Sequence, residues 1–445
     1  MLSAEFRMTY STLKSMDSLS PLRFNPEWID CLFTQAKIVW LGFSGGVDSH
    51  VLLHALMNQL SHEQKQKLAA IHIHHGLSEN ADDWLVHCQS VCENLEVRFV
   101  AERVQLETQA SIEDAARNAR YQAFQHIMGD QDVILLAHHA ADQVETVLFR
   151  LLRGTGGKGL AGMPKERLLG DGQARIIRPL LEVSKETIEG YAQRKQLKWI
   201  QDESNNDERF TRNFLRQRVM PVLKERFPKM EQSIASSAQR IATDYNMLAT
   251  FANQQLTHWC NESGGFELSF IENKARDERL FWLRHFLQRE HVSLSHAQLE
   301  SVNSMFAGGE DRHPEFVFSN GRILRHQNAI YLLPLDKTPM LAPLVSGVML
   351  KRAFDDVTVF GCDDCFLGQR PQGIALRSVH GKTRKLKKWL NDHQIPSWWR
   401  EHLPYLYQGD TLVAIGDLWQ HPDWHGKVEW CRGDELPFFI LTGNT

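Results

Sequence analysis

The chain has 445 residues, 42% hydrophobic and 23% charged, a makeup that suits two or three globular cores and excludes a disordered or fibrous chain. No apolar run approaches the roughly 20 residues of a bilayer span, and the N-terminus lacks the basic-then-apolar secretory pattern, so a cytoplasmic protein without membrane contact is expected. Seven cysteines, odd and sparse, give no disulfide framework, and a net charge of −4 argues only against an evenly basic nucleic-acid binder, leaving local patches to decide.

Residues 1–22, rich in Ser, Thr and Met, show no periodicity and read as a loose extension. The apolar run Ile38 to Phe43 then predicts a strand, Ser44-Gly45-Gly46-Val47-Asp48-Ser49 a glycine turn, and Val51 to Leu56 a helix. Glycines allow successive N–H groups to point inward, and a helix start adds positive potential, so the turn is a candidate phosphate cradle. Ser44 and Ser49 add hydroxyl donors. Asp48 would repel a phosphate unless a cation lay between them, which implies magnesium carrying a pyrophosphate. The span is too short for a Walker loop and has no Lys before the Ser.

Further apolar runs at Leu68 to His74, Val97 to Val100 and Asp132 to Ala137 alternate with helical patterns, one of them opened by a capping-box-like Ser111-Ile112-Glu113-Asp114. This alternation predicts an α/β, doubly wound parallel sheet, with ligands beyond the carboxyl ends of its strands. The loops at Ser44, His74 and His138 should converge there. Five glycines within Gly154 to Gly162 predict a non-helical connector or a mobile loop whose Lys158 reaches phosphates. A helix over Ser184 to Leu197, a polar segment Trp199 to Asp207 and the stretch Phe210 to Met220 complete a domain over 23–230.

Residues 231–335 read as a mostly helical domain with Leu280 to Leu287 as a core stripe, Pro334 to Pro343 as a linker, and 336–445 as a small mixed α/β domain. A lone CxxC, Cys362 to Cys365, is too little for a zinc site. Lys382, Arg384, Lys385, Lys387 and Lys388 place five positive charges in seven residues, with Trp389, Trp398 and Trp399 following. The pattern favours contact with a nucleic-acid backbone, with stacking on bases, over a merely solvated helix face.

The hexapeptide resembles the PP-loop of ATP pyrophosphatases. In order with it stand His74-His75-Gly76-Leu77, His138-His139-Ala140-Ala141-Asp142-Gln143-Val144-Glu145-Thr146, Asp202-Glu203-Ser204-Asn205 and Arg212-Asn213-Phe214-Leu215-Arg216, then Arg384 to Lys387. Together they resemble the tRNA(Ile)-lysidine synthetase family in its long, proteobacterial form, and the resemblance covers nearly the whole chain. It implies an adenine nucleotide alpha hydrolase-like catalytic domain followed by two tRNA-binding domains.

The resemblance further implies that ATP adenylates O2 of the wobble cytidine in the CAU-anticodon isoleucine tRNA, and that free L-lysine displaces AMP at C2. Carried over residue by residue, Asp48, His138, Asp142 and Glu145 are catalytic. Ser44, Gly45, Gly46, Val47, Asp48, Ser49 and His74 bind ATP. Asp48 and Asp142 hold magnesium, and Arg212, Asn213, Arg216 and the five tail cations bind tRNA.

The attacking amine must lose a proton, and His138, His139, Asp142 and Glu145 are candidate acceptors. The family usually has two aspartates before the glutamine, whereas this chain has Ala141 and Asp142. That departure weakens magnesium or lysine binding, is tolerated through Asp142, or marks an impaired protein. A base-thiolating PP-loop enzyme is the nearest rival; it would need active-site cysteines, and Cys88 and Cys92 are better explained as one helix face. The sequence leaves a homodimer open.

Overall fold

A computed structural model describes residues 22–437 except 77, 106–111, 171, 202–206, 208–210, 307–313, 336–340, 363, 378–380 and 435. The expected extension over 1–21, the Ser111 cap and the segment from Asp202 to Asn206 lie outside the described residues. Leu22, assigned to the extension, is buried against the first core.

The chain divides into two compact units at Asn246/Met247. In the first, α1 (Pro26–Gln35) starts at Asn25, whose side chain caps the Glu27 amide, with Pro26 where no N–H is needed. There follow β1 (Val39–Gly42), α2 (Val47–Met57), α3 (His62–Gln66), β2 (Leu68–His74), α4 (Ala81–Asn94), β3 (Arg98–Arg103), α5 (Ile112–Ile127), β4 (Val133–Leu135) and α6 (Ala140–Leu152). Next come α7 (Gly157–Leu160), β5 (Glu166–Leu168), β6 (Arg175–Ile177), α8 (Lys185–Arg194) and α9 (Thr211–Phe214). A π-helical turn (Leu215–Val219), α10 (Met220–Arg226) and α11 (Met230–Trp259), which crosses the division, complete the series.

The sheet order is β3-β2-β1-β4-β6-β5, parallel except where β5 pairs antiparallel with β6. The chain winds outward from β1 through β2 to β3, then returns to lay β4 on the other side of β1. This reversal opens a crevice beyond the carboxyl ends of β1 and β4, where ligands bind in such sheets.

Alternation along β1 fills both faces. Val39 and Leu41 pack with Val51, Leu52 and Leu56 of α2, while Trp40 packs with Phe124 of α5 and Met128 just after it. Each such side chain contributes roughly 1.5–3 kcal/mol by leaving water. Buried Asp132 is satisfied by Trp40 Nε1 at 3.0 Å, the Gly129 amide at 3.0 Å and the Ile38 amide at 3.2 Å.

The glycine-rich connector differs from expectation: α7 is one helical turn within it. Arg150 Nη1 donates to the carbonyls of Gly159 at 3.0 Å and Gly162 at 2.8 Å, and Gln143 exchanges two hydrogen bonds with the Met163 backbone. External donors thus supply what glycine propensity does not.

In the second unit, α12 (Arg276–Arg289) and α13 (His296–Phe306) pack Leu280, Leu283, Phe286 and Leu287 with Leu256, so the apolar stripe is core. The expected helical domain also holds an antiparallel sheet of β7 (Phe266–Glu267), β8 (Glu315–Phe318), β9 (Gly321–His326) and β10 (Ala329–Leu333), in the order β7-β10-β9-β8. These strands are short, and β9 and β10 bury consecutive residues, Ile323 to Arg325 and Ala329 to Tyr331, so no two-residue alternation marks them in the sequence.

The C-terminal part carries β11 (Ala342–Pro343), β12 (Leu350–Lys351), β13 (Asp355–Phe360), β14 (Cys365–Gly368), β15 (Ala375–Arg377), β16 (Thr383–Lys385), α14 (Leu386–Asp392) and α15 (Ser397–Arg400). It ends with β17 (Tyr405–Gln408), β18 (Thr411–Ile415), β19 (Trp419–Gln420) and β20 (Lys427–Arg432). Cys362 and Cys365 are joined as a disulfide, a single local bridge across three residues and no framework. Among the described residues no helix is long and apolar enough to cross a membrane.

Candidate functional site

Gly45 and Gly46 serve the turn differently. Gly45 has φ +82°, and a Cβ there would lie 2.4 Å from Ile200 Cδ1 and 2.9 Å from Cys88 Sγ. Only glycine meets both conditions. Gly46, at φ −69°, is the N-cap of α2. Ser44 Oγ and Ser49 Oγ are 3.2 Å apart, and Ser49 Oγ donates to the Gly46 carbonyl at 3.1 Å. The turn is held in shape before any ligand arrives.

The second loop of the crevice starts α6. His139 Nε2 lies 3.7 Å from Asp48 Oδ1 and 3.6 Å from Asp142 Oδ2, and Asp142 Oδ2 accepts from the His139 amide at 2.9 Å. Asp142 Oδ1 faces Arg216 Nη2 at 3.4 Å. Arg216 also grips Glu145 bidentately, at 2.6 and 2.9 Å. Asp48, His139, Asp142, Glu145 and Arg216 therefore form one continuous charged centre beside the glycine turn. The π-helical turn carries Arg216, and such turns recur at functional sites.

Burial pushes the Asp48 carboxyl up, against the pull of His139, and Asp48 Oδ1 is buried without a hydrogen-bond partner. An orphaned carboxylate oxygen beside a phosphate cradle is the donor chemistry a magnesium ion requires. Among the described residues no cluster of three or more His, Cys, Asp or Glu forms a metal cage. Magnesium on one or two carboxylates plus substrate phosphates needs none. Burial also raises the Glu145 carboxyl, with Arg216 opposing it. His138 is pushed down to about 3, first by burial and then by Arg178, Arg120 and Arg117, against the pull of Asp142. It is neutral at working pH and a weak proton acceptor.

Other expected residues are placed apart from this centre. His74 is buried and its Nε2 faces Asp82 Oδ1 at 3.2 Å; it makes no hydrogen bond to the glycine turn. His72, two residues earlier on the same strand face, braces the end of β1 instead, with its Nδ1 2.9 Å from the Phe43 carbonyl. The HxH alternation carried the signal, and the sequence did not say which histidine would brace the turn. Arg212 stacks its Cζ 5.7 Å from the Phe149 ring centroid, and Asn213 Nδ2 donates to the Asp207 carbonyl at 2.9 Å.

In the tail, Lys382, Lys385, Lys387 and Lys388 are exposed and form no ion pair among the described residues, while Arg384 pairs with Asp392. Trp389, Trp398 and Trp399 are core side chains, so the expected base stacking on them is corrected: apolar packing claims those rings. Cys88 and Cys92 are fully buried, and burial pushes both thiols up to about 12, which leaves no reactive thiolate for sulfur transfer.

Family models match three stretches: a PP-loop domain over residues 22–223, a TilS substrate binding domain over 279–331 and a TilS substrate C-terminal domain over 366–432. Curated relatives named tRNA(Ile)-lysidine synthase match nearly end to end. The Coxiella burnetii protein is 34% identical over 432 residues, 87% of this chain and 93% of the relative. The chain belongs to the tRNA(Ile)-lysidine synthase family. The Pseudomonas aeruginosa relative is 37% identical over 402 residues, covering 85% and 89%, and the Vibrio cholerae relative is 34% identical over 412 residues, covering 87% and 92%.

As a member of this ligase family the chain is an enzyme with an ATP-binding PP-loop domain. Ala141 is buried with Val144, Met220 and Met230. Lys382 to Lys388 lie within the stretch matched by the tRNA(Ile)-lysidine synthase C-terminal domain.

Proposed function

We propose that this chain forms lysidine in the CAU-anticodon isoleucine tRNA. ATP transfers its adenylyl group to O2 of the wobble cytidine, releasing pyrophosphate. The ε-amine of free L-lysine then bonds to C2, the C2–O bond breaks, AMP leaves and the amine gives up a proton. The observation that carries this reading is the placement of the Asp48 to Arg216 centre beside the glycine turn, at the crevice between β1 and β4.

The residues divide the work. Backbone N–H groups of the turn, with Ser44, hold the ATP phosphates, and Ser49 braces the turn through the Gly46 carbonyl. Asp48 and Asp142 would hold magnesium, which when bound offsets negative charge on the departing pyrophosphate. Of the four candidate proton acceptors, His138 is a weak base and Glu145 is gripped bidentately by Arg216, which leaves His139 and Asp142 for the amine proton. His139 spans Asp48 and Asp142 and orients both. Exposed Lys382, Lys385, Lys387 and Lys388 hold the RNA backbone.

The test is incorporation of labelled lysine into this tRNA, with AMP and pyrophosphate released in equal amounts. Incorporation that depends on both ATP and the CAU anticodon supports the reading. ATP consumption without lysine transfer, or transfer to tRNA regardless of anticodon, refutes it.

A further inference from the structure

Beyond the carboxylate centre, α5, β5 and the end of β6 gather three arginines around one tyrosine. Arg167 Cζ lies 4.8 Å and Arg117 Cζ 5.1 Å from the Tyr121 ring centroid, and Arg117 Nη2 is 3.5 Å from the Tyr121 hydroxyl. Arg178 is only 2% exposed; its Nη1 donates to the Pro164 carbonyl at 2.7 Å, and its Nε is buried without a partner. None of the three forms an ion pair among the described residues, and neighbouring Glu166 is committed to Arg175 at 2.9 Å.

Gathering guanidinium groups with no acid paired to them among the described residues is expensive, because like charges repel and a buried cation loses its water. The arrangement suits an incoming polyanion. A guanidinium lying on an aromatic face spends its face on the ring and keeps edge N–H donors for phosphate oxygens; here Arg167 Nη1 already donates to the Leu168 carbonyl at 3.0 Å and Arg117 Nη2 reaches the Tyr121 hydroxyl, so the remaining edge donors of each would meet the phosphate. Burial pushes the Tyr121 hydroxyl up, yet Arg117, Arg178 and Arg167 outweigh it and the net shift is down, so the three charges act together on this ring.

The cluster adjoins the reaction centre on the His138 side: the Leu136 amide donates to the Ile177 carbonyl at 2.9 Å, which sets Arg178 beside the segment leading into His138, and the charges of Arg178 and Arg117 act on that imidazole. The charges that act on Asp48 are instead those of His139, Asp142, Lys185 and Arg216. The ATP phosphates already have the glycine turn. We propose that Arg117, Arg167 and Arg178 around Tyr121 form a phosphodiester subsite, which holds the RNA backbone next to the nucleotide presented to Asp48. This rests on the lysidine reading above.

The experiment measures binding of the full chain to the CAU-anticodon isoleucine tRNA across a salt series, with ATP affinity and melting temperature measured in parallel. Replacing Arg117 and Arg167 together by Gln should flatten log K against log salt by about 1.4, at about 0.7 for each single-strand phosphate no longer neutralised. ATP affinity should stay at the wild-type value, and the paired Lys substitutions should keep most of the slope.

If the double variant fails to fold, each single Gln variant should flatten the slope by about 0.7. An unchanged slope at an unchanged melting temperature overturns the proposal. So does weakened ATP binding with the slope intact, which assigns the cluster to the nucleotide. A wild-type protein that does not bind this tRNA overturns this proposal and the lysidine reading together. Lysine incorporation with an unmoved slope overturns the subsite alone.

Discussion

Replacing either glycine of the turn by alanine should separate shape from chemistry. At Gly45 the φ of +82° costs an L-residue about 1–2 kcal/mol, since its Cβ crowds the following carbonyl. The new methyl would also sit 2.4 Å from Ile200 Cδ1 and 2.9 Å from Cys88 Sγ. Both atoms end their side chains and can yield, which places the packing penalty at about 1–2 kcal/mol, the lower part of the overpacking range. Ile200 cannot retreat far, because its amide donates to the Gly45 carbonyl at 3.0 Å.

The sum of about 2–4 kcal/mol corresponds to a melting-temperature drop of roughly 5–15 °C for a unit of this size. Gly46→Ala meets neither obstacle: φ is −69° and the nearest atom, Ser44 Oγ, is 3.5 Å away. Its stability should stay within about 1 kcal/mol of wild type. Calorimetric melting of both variants, with ATP–pyrophosphate exchange as the activity readout, checks the contrast. Equal losses at the two positions, or a Gly45→Ala protein that melts with the wild type, would refute the reasoning.

Asp48→Asn should stabilise the protein while abolishing ATP-dependent turnover. Because the folded carboxyl has a raised pKa, its penalty is absent below the ordinary carboxylate range and grows as pH rises through it, so the melting gain should be present near pH 7 and shrink toward about pH 4. A gain independent of pH would contradict that origin. Arg216→Ala should cost near the low end of roughly 3–5 kcal/mol by stranding buried Glu145, with Arg216 itself partly solvated. Adding Glu145→Gln should recover part of the loss in a denaturation double-mutant cycle, and strict additivity would deny the coupling. Ala141→Asp would restore turnover if that position served the site. Among Val144, Met220 and Met230 a carboxylate should instead lower the melting temperature without raising turnover, and faster turnover in a lysine and magnesium titration would reverse that conclusion.

The glycine turn was legible because strand, turn and helix start are contiguous, and local chemistry fixes all three. The meeting of Asp48 with His139 and Asp142 followed from strand alternation, which places loop ends in one crevice. What escaped depended on distant partners. Nothing in a periodic reading couples Glu145 to a particular arginine 71 residues away, or selects His72 over His74 to brace Phe43. Trp398 and Trp399 looked available for stacking beside a basic run, yet burial is decided by the sheets that fold over them.

The π turn at Leu215–Val219 has a consequence for comparing this chain with others. A helix that keeps α geometry rotates about 100° per residue, so a wider turn shifts every side chain after it to a new angular setting. Residues on Thr211–Phe214 and those on Met220–Arg226 thus occupy independent angular frames within a single rod. A deletion of one residue there would preserve the rod and its length almost unchanged while swinging Arg216 or its successors off target. Alignments that slide a gap freely through this stretch would miss the difference between a working and a misaimed guanidinium.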